Sequence, residues 1–234
     1  MSSKRMQGTE RRAQIIAAAR RVFSRSGYHG AKTLRIAREA GVSEALVYRH
    51  FPSKLSLYRA VLRQVFNEQD RQWQELGIHQ TGATGLIRAI HTYLRACVED
   101  GGDPERLDSH RMTLASLSGD GSFASLVYRR SLRKSRAALQ RAFDAAAGDG
   151  DIDGRLLHVP AATMFIEHVG TMIGAIGMLP PGAQPYGLAG GDLATQAAWF
   201  CCRGIGMNDA VIARHLGEDG GQISRGQGLQ TATA

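Results

Sequence analysis

Apolar residues recur at three- and four-residue intervals along most of this chain, and no stretch alternates apolar with polar long enough to make a strand. The pattern predicts an all-α protein. A first helix is expected from an N-cap at Thr9 to about Arg25, with Ile15, Ile16, Ala19, Val22 and Phe23 on one stripe and Gly27 as its stop. Two short helices, about 34–40 and 44–50, flank Gly41, and Ser43 can cap the second. Pro52-Ser53 breaks the chain, and Ser53 caps a long helix reaching about residue 76. Further helices are expected at about 83–98, 104–117, 122–147, 154–179, 192–206 and 209–216, separated by Gly, Asp and Pro. The segment 217–234 is glycine-rich with almost no apolar residues, which predicts a disordered tail.

Charge divides the chain more sharply than hydropathy does. Residues 1–63 hold 14 Lys/Arg against Glu10, Glu39 and Glu44, while the rest carries a slight acidic excess; the total is +8. A basic head on a mildly acidic body points to a polyanionic partner, nucleic acid or an anionic membrane surface. The first helix has a narrow apolar stripe without Trp or Leu-rich bulk, which argues against membrane binding. Three cysteines, two of them adjacent at 201 and 202, make no disulfide framework. With no secretory leader and no long uncharged apolar run, a cytoplasmic location is expected.

The informative segment is Leu34 to Phe51, which reads as helix, glycine turn, helix. Ile36, Ala37, Ala40, Val42, Val47 and Phe51 supply small apolar contacts between two crossing helices. Glu44, Ala45, Arg49 and His50 are left outward, with Tyr48 at the edge. Such a helix suits a DNA major groove.

The surrounding sequence sharpens this. Ile15-Ile16 through Phe23, Gly27-Tyr28, Ile36-Ala37, Ala40-Gly41-Val42-Ser43 and Val47-Tyr48-Arg49-His50-Phe51-Pro52-Ser53-Lys54 resemble the DNA-binding domain of the TetR/AcrR family of bacterial transcriptional regulators. The resemblance implies three N-terminal helices for DNA, followed by a variable helical domain for dimerisation and ligand sensing. It also implies repression relieved by a small molecule. Thr33, Ser43, Tyr48, His50 and Lys54 match positions that members of the family commonly use on DNA. Hydroxyls and a lysine beside a helix N-terminus are also chemically suited to phosphate.

Two departures from the family pattern matter. Lys32 stands where a Thr or Ser often caps the second helix, so either Thr33 caps a shortened helix or Lys32 reaches a phosphate. Glu44, Ala45 and Leu46 open the reading helix in place of more frequent polar or glycine residues. Glu44 can accept from a cytosine N4 or serve as a first-turn acid favoured by the helix dipole. With Arg49, these complete the candidate DNA surface.

Other motifs carry less. Asp149 to Gly154 imitates an EF-hand loop, but Pro160 stands where the bidentate Glu is required, so an acidic turn with Asp153 capping the next helix is expected. No metal spacing, nucleotide loop or nucleophile elbow occurs, so neither a metal, a cofactor nor an enzymatic activity is expected.

In the helix predicted at 154–179, Phe165, His168 and Met172 share one stripe, and Gly170, Gly174 and Gly177 lie nearly opposite. The glycines are expected at a dimer interface, where backbones approach closely. Phe165, His168 and Met172 are then expected inward, lining an apolar effector pocket with Trp73, Tyr93 and His110. The expected organisation is a DNA-binding domain at 1–54 and a ligand-binding and dimerisation domain at 55–216. The expected protein is a homodimeric repressor on double-stranded operator DNA, released by a largely apolar small molecule. An activator or a ligand-independent regulator would use the same head.

Overall fold

The computed structural model describes residues 8–75, 81–99, 104–153 and 157–217. The predicted tail from 218 onward and the side chain of Trp73 lie outside the described residues. Among these residues the fold is all-α, and the β-geometry is confined to one isolated bridge, Ile152 to Met207. The helices are α1 Gly8–Gly30, α2 Thr33–Glu39, α3 Glu44–His50, α4 Lys54–Glu75, α5 Gly82–Glu99, α6 Pro104–Leu117, α7 Ser122–Gly148, α8 Val159–Ile176, α9 Gly190–Gly204 and α10 Asp209–Leu216.

The chain forms two compact units: residues 1–73 with 103–130, and residues 74–102 with 131–234. The sequence-based boundary at residue 54 therefore falls inside the first unit. Its core explains why. Ile15, Val22, Phe23, Ile36, Val47 and Phe51 share one apolar cluster with Leu57, Val61 and Val65 of α4, Met112 of α6, and Phe123 and Val127 of α7. α1, α2 and α3 alone do not enclose that core, and α4, α6 and α7 complete it.

Local chemistry sets the turns. Gly27 has φ 63° and ψ 178°, which bends the chain between the main run of α1 and its last residues. Gly41, also at φ 63°, makes the corner between α2 and α3. Ser53 caps α4 reciprocally: its Oγ accepts from Ser56 N–H and Ser56 Oγ accepts from Ser53 N–H, both at 3.1 Å. At the start of α7, Ser116 Oγ accepts from the amides of Phe123 and Ala124 at 3.0 and 3.1 Å.

In the second unit, α5 packs against both α8 and α9, with Leu86, Ile87, Ile90, Leu94 and Cys97 buried. The helix expected from residue 154 begins at Val159 instead, with Pro160 in its first turn and no side-chain cap from His158. Asp153 does not cap it; the Asp153 amide donates to the Gly206 carbonyl at 2.7 Å.

The two stripes of α8 exchange their expected roles. Gly170 and Gly174 are buried, and a Cβ at Gly170 would lie 2.5 Å from the Tyr93 ring. Tyr93 thus occupies the glycine notch within the unit, and its hydroxyl donates to the Glu167 carbonyl at 3.0 Å. Phe165 and Met172 are 64% and 51% exposed, and His168 is exposed as well. Gly170 therefore admits an aromatic ring of the same chain, Gly177 is exposed, and the bulky stripe is left outside. Gly170→Ala should force that ring aside and break its hydrogen bond, with overpacking of this kind costing about 1–3 kcal/mol. Urea unfolding measures it, and a loss below about 0.5 kcal/mol would show that the ring yields freely.

Candidate nucleic-acid interface

α2 and α3 meet through buried Ile36, Ala37, Ala40 and Val47, which turns the other side of α3 to solvent. Ala45, Tyr48 and Arg49 are exposed there; Glu44, Leu46 and His50 are half-buried beside them. Tyr48 is 44% exposed, so it is not a core tyrosine. Lys32, Arg35 and Arg38 are exposed on the α2 side.

Ser43 caps α3 by accepting the Leu46 amide at 3.2 Å. The bond uses an oxygen lone pair and leaves the Ser43 O–H to donate elsewhere. Lys32 occupies the N-cap of α2 in extended geometry and makes no side-chain cap bond. Its carbonyl accepts the Arg35 and Ile36 amides, and Lys32 keeps its ammonium free of capping duty. Thr33 is the first helical residue, not the cap.

Thr33 does something the sequence did not suggest. Its Oγ1 donates to Glu44 Oε1 at 2.6 Å and lies 3.1 Å from the Tyr48 hydroxyl. A threonine has one hydroxyl proton, so with that proton on Glu44 the tyrosine is the donor to Thr33. A Tyr48, Thr33, Glu44 chain therefore ties α2 to the exposed face of α3. Glu44, in the first turn of α3, is the acceptor at the end of this chain.

Lys54 is also positioned. Its Nζ donates to the His29 carbonyl at 3.2 Å and sits 4.7 Å over the Tyr28 ring. Elsewhere in the same unit, Arg21 and Arg25 pair with Glu39 of α2, at 2.8 and 3.6 Å. The hydrogen bond from Arg21 holds the Glu39 carboxyl below its usual range. The structure thus places Lys32, Thr33, Ser43, Glu44, Ala45, Tyr48 and Arg49 on α2, α3 and the turn between them, with Leu46 and His50 half-buried on α3 and Lys54 opening α4 against the end of α1.

Within the second unit, the effector residues expected from sequence do not share one face. Phe165, His168 and Met172 lie on the outward face of α8, while Tyr93 packs on its opposite, glycine face. His110 is half-buried on α6 in the first unit. What the sequence reading missed is Glu167. Its Oε2 accepts from Ser131 Oγ at 2.6 Å, and desolvation raises its pKa to about 7. A carboxylate in the middle of a helix as apolar as α8 was the available signal.

Residues 15–61 match the bacterial regulatory proteins of the tetR family. The head of the chain, α1 to the start of α4, is a DNA-binding domain of that family. Over 59 residues it is 51% identical to the HTH-type transcriptional activator FasR of Mycolicibacterium smegmatis, a stretch covering 25% of this chain and 27% of FasR. The chain spans about a quarter of the length of FasR and of other curated relatives that it matches over this head. A longer match, 29% identical over 187 residues, covers 77% of this chain and 88% of the transcriptional repressor AcnR of Corynebacterium glutamicum. FadR from Bacillus subtilis, solved in complex with stearoyl-CoA, shares the fold with a TM-score of 0.58 at 19% identity, over 82% of this chain and 98% of FadR. The TetR-family match falls on α1 to α4, where the exposed polar corner lies.

Proposed function

We propose that this chain is a homodimeric, sequence-specific transcriptional regulator, a repressor that a small molecule releases from its operator. The observation that carries the reading is the outward face of α3, with Ala45, Tyr48 and Arg49 presented by a buried α2–α3 corner in a TetR-family head. A seven-residue recognition helix reads too few base pairs alone, so two copies are needed on sites about 34–36 Å apart. Selection from random-sequence DNA tests this: a palindrome is expected, and retention of all sequences alike would reject specific regulation.

Repression rather than activation is favoured by the length of the AcnR match, since the likeness to the activator FasR is confined to the head. The likeness of fold to FadR, a regulator solved with stearoyl-CoA, is consistent with an effector held in the helical domain. Lys54 and Ser43, whose donors remain available, are assigned to phosphate and Arg49 to a base edge, while Thr33, Tyr48 and Glu44 hold α3 against α2. Lys54→Ala should weaken binding to all sequences alike and reduce the slope of log affinity against log salt by about one unit. An unchanged slope would remove Lys54 from the DNA surface.

The second copy is assigned to the exposed apolar side chains of the C-terminal helices, not to the glycine notch. Phe165 and Met172 on α8 and Phe200 on α9, the last 69% exposed, are large apolar groups that a lone chain leaves in water. Phe200→Asp should convert a dimer into a monomer in sedimentation and lower operator affinity while helicity is retained. A variant that sediments as the wild type would clear this face of the interface.

A further inference from the structure

The first unit holds a cleft that the DNA-binding reading does not use. It runs between α1 and α4, with a volume of about 980 Å³, and its lining includes no residue of α2 or α3. Ala13, Ile16 and Ala17 of α1 and Ala60 of α4 form its apolar part. The alanines leave the space, because larger side chains at these positions would fill the gap between the two helices. Around this floor stand Arg12 on α1 and Arg63 and Arg71 on α4.

The charge of the cleft is one-sided. Two carboxylates line it, and each is matched by an arginine from outside the lining. Glu68 holds Arg20 at 2.9 Å, and both Asp70 oxygens accept from Arg130 Nη2, at 2.7 and 2.6 Å. Arg12, Arg63 and Arg71 are exposed, and among the described residues none of them pairs with a carboxylate. Arg12 lies 4.9 Å over the Phe51 ring, which holds that arm in place. Arg63 and Arg71 stand about two turns apart on α4, across the cleft from Arg12. Three guanidinium groups around one cleft repel one another and are always charged, so the site favours an anion of high charge.

We propose that the α1–α4 cleft binds a small molecule carrying two or more phosphate groups, of the size of a nucleoside polyphosphate. A phosphate group brings about −1.5 to −2 charges at pH 7 and offers oxygens to the paired N–H groups of a guanidinium, so two of them match three arginines where two carboxylates do not. The apolar floor takes the uncharged body, and Gln64 and Asn67 offer amides to its polar edges. A concave site of this volume fits a compact ligand, not a duplex whose phosphates lie on a convex surface.

The test is calorimetric titration of the full chain with ATP, inorganic tripolyphosphate and citrate, without divalent cations. Both polyphosphates should saturate at one per chain, and citrate, with its three carboxylates, should bind about tenfold more weakly or worse. ATP binding tighter than tripolyphosphate identifies a nucleotide that uses the floor, and ATP binding equally or more weakly identifies the phosphate chain alone; either keeps the site. Arg63→Gln with Arg71→Gln should weaken both polyphosphates by about tenfold or more. Arg35→Gln with Arg38→Gln removes the same charge from α2 and should weaken them by less than about threefold. The wild-type ranking does not depend on how any variant folds. Citrate binding as tightly as tripolyphosphate, an equal loss in the α2 pair, or no saturable polyphosphate binding would each overturn the proposal. In the last case, a slope of log operator affinity against log salt that the Arg63, Arg71 pair lowers by about two units would give these arginines to operator phosphates instead.

Discussion

Arg20→Met should destabilise the first unit by about 3–5 kcal/mol, the largest loss expected from any single polar substitution in the described chain. Arg20 is 1% exposed on α1. Its guanidinium grips Glu68 of α4 as a fork, Nη1 to Oε1 and Nη2 to Oε2, both at 2.9 Å. Nη2 also donates to Ser109 Oγ of α6 at 2.7 Å. One turn on, Ser24 is buried against Asp108 of α6 at 2.8 Å. Methionine fills much of the arginine's volume but leaves the Glu68 carboxylate without its counter-charge in a poorly solvated place. The penalty comes from that orphaned charge, not from lost attraction alone, because a desolvated pair returns little over an apolar replacement. The double variant Arg20→Met with Glu68→Met should therefore recover most of the loss. Urea unfolding of wild type, both single variants and the double gives the coupling directly. A single-variant loss below about 1 kcal/mol would mean that water reaches Glu68 freely.

The second large effect concerns pH. Glu167 has a folded-state pKa of about 7 against an ordinary value of 4.5, with desolvation as the main cause and the Ser131 hydrogen bond opposing it. Below about pH 4.5 the group is protonated whether the chain is folded or not, and it contributes nothing to the pH dependence. Between 4.5 and 7 the unfolded chain loses the proton and the folded chain keeps it, so stability falls as pH rises. Above about 7 both forms are ionised and the penalty is constant, roughly 3 kcal/mol. Tyr93 on α5 titrates well above this window, so it does not mask the effect. Glu167→Gln cannot ionise, and should be more stable than wild type at pH 8 by an amount absent at pH 4.5. Urea midpoints at the two pH values measure it; parallel profiles for the two proteins would show that the carboxyl is solvated.

Much of the architecture is written in local chemistry. The positions of α1 to α7 follow from apolar spacing and from Gly, Ser, Asp and Pro at their ends, since a helix needs a stripe to bury and groups to stop it. Ser43 and Ser53 cap as their positions imply because an N-cap bond spans only three residues. The basic N-terminal head and the α2–α3 corner are legible for the same reason. Each depends on residues close together in the chain, and the family resemblance lies in that contiguous text.

What tertiary structure alone decided involves partners far apart in sequence. Periodicity correctly placed Gly170 and Phe165 on opposite sides of α8. Which side faces inward depends on Tyr93, 77 positions before Gly170, whose ring fits the space that Gly170 leaves. Thr33 and Glu44 were each given a role singly, and only the helix crossing brings their side chains to 2.6 Å. Arg20, beside an apolar stripe, gave no local sign that Glu68 and Ser109 would enclose it. Sequence spacing determines which face a residue occupies. The chain's return from a distant segment determines what that face meets, and with it whether a charge is solvated, paired or left for a ligand.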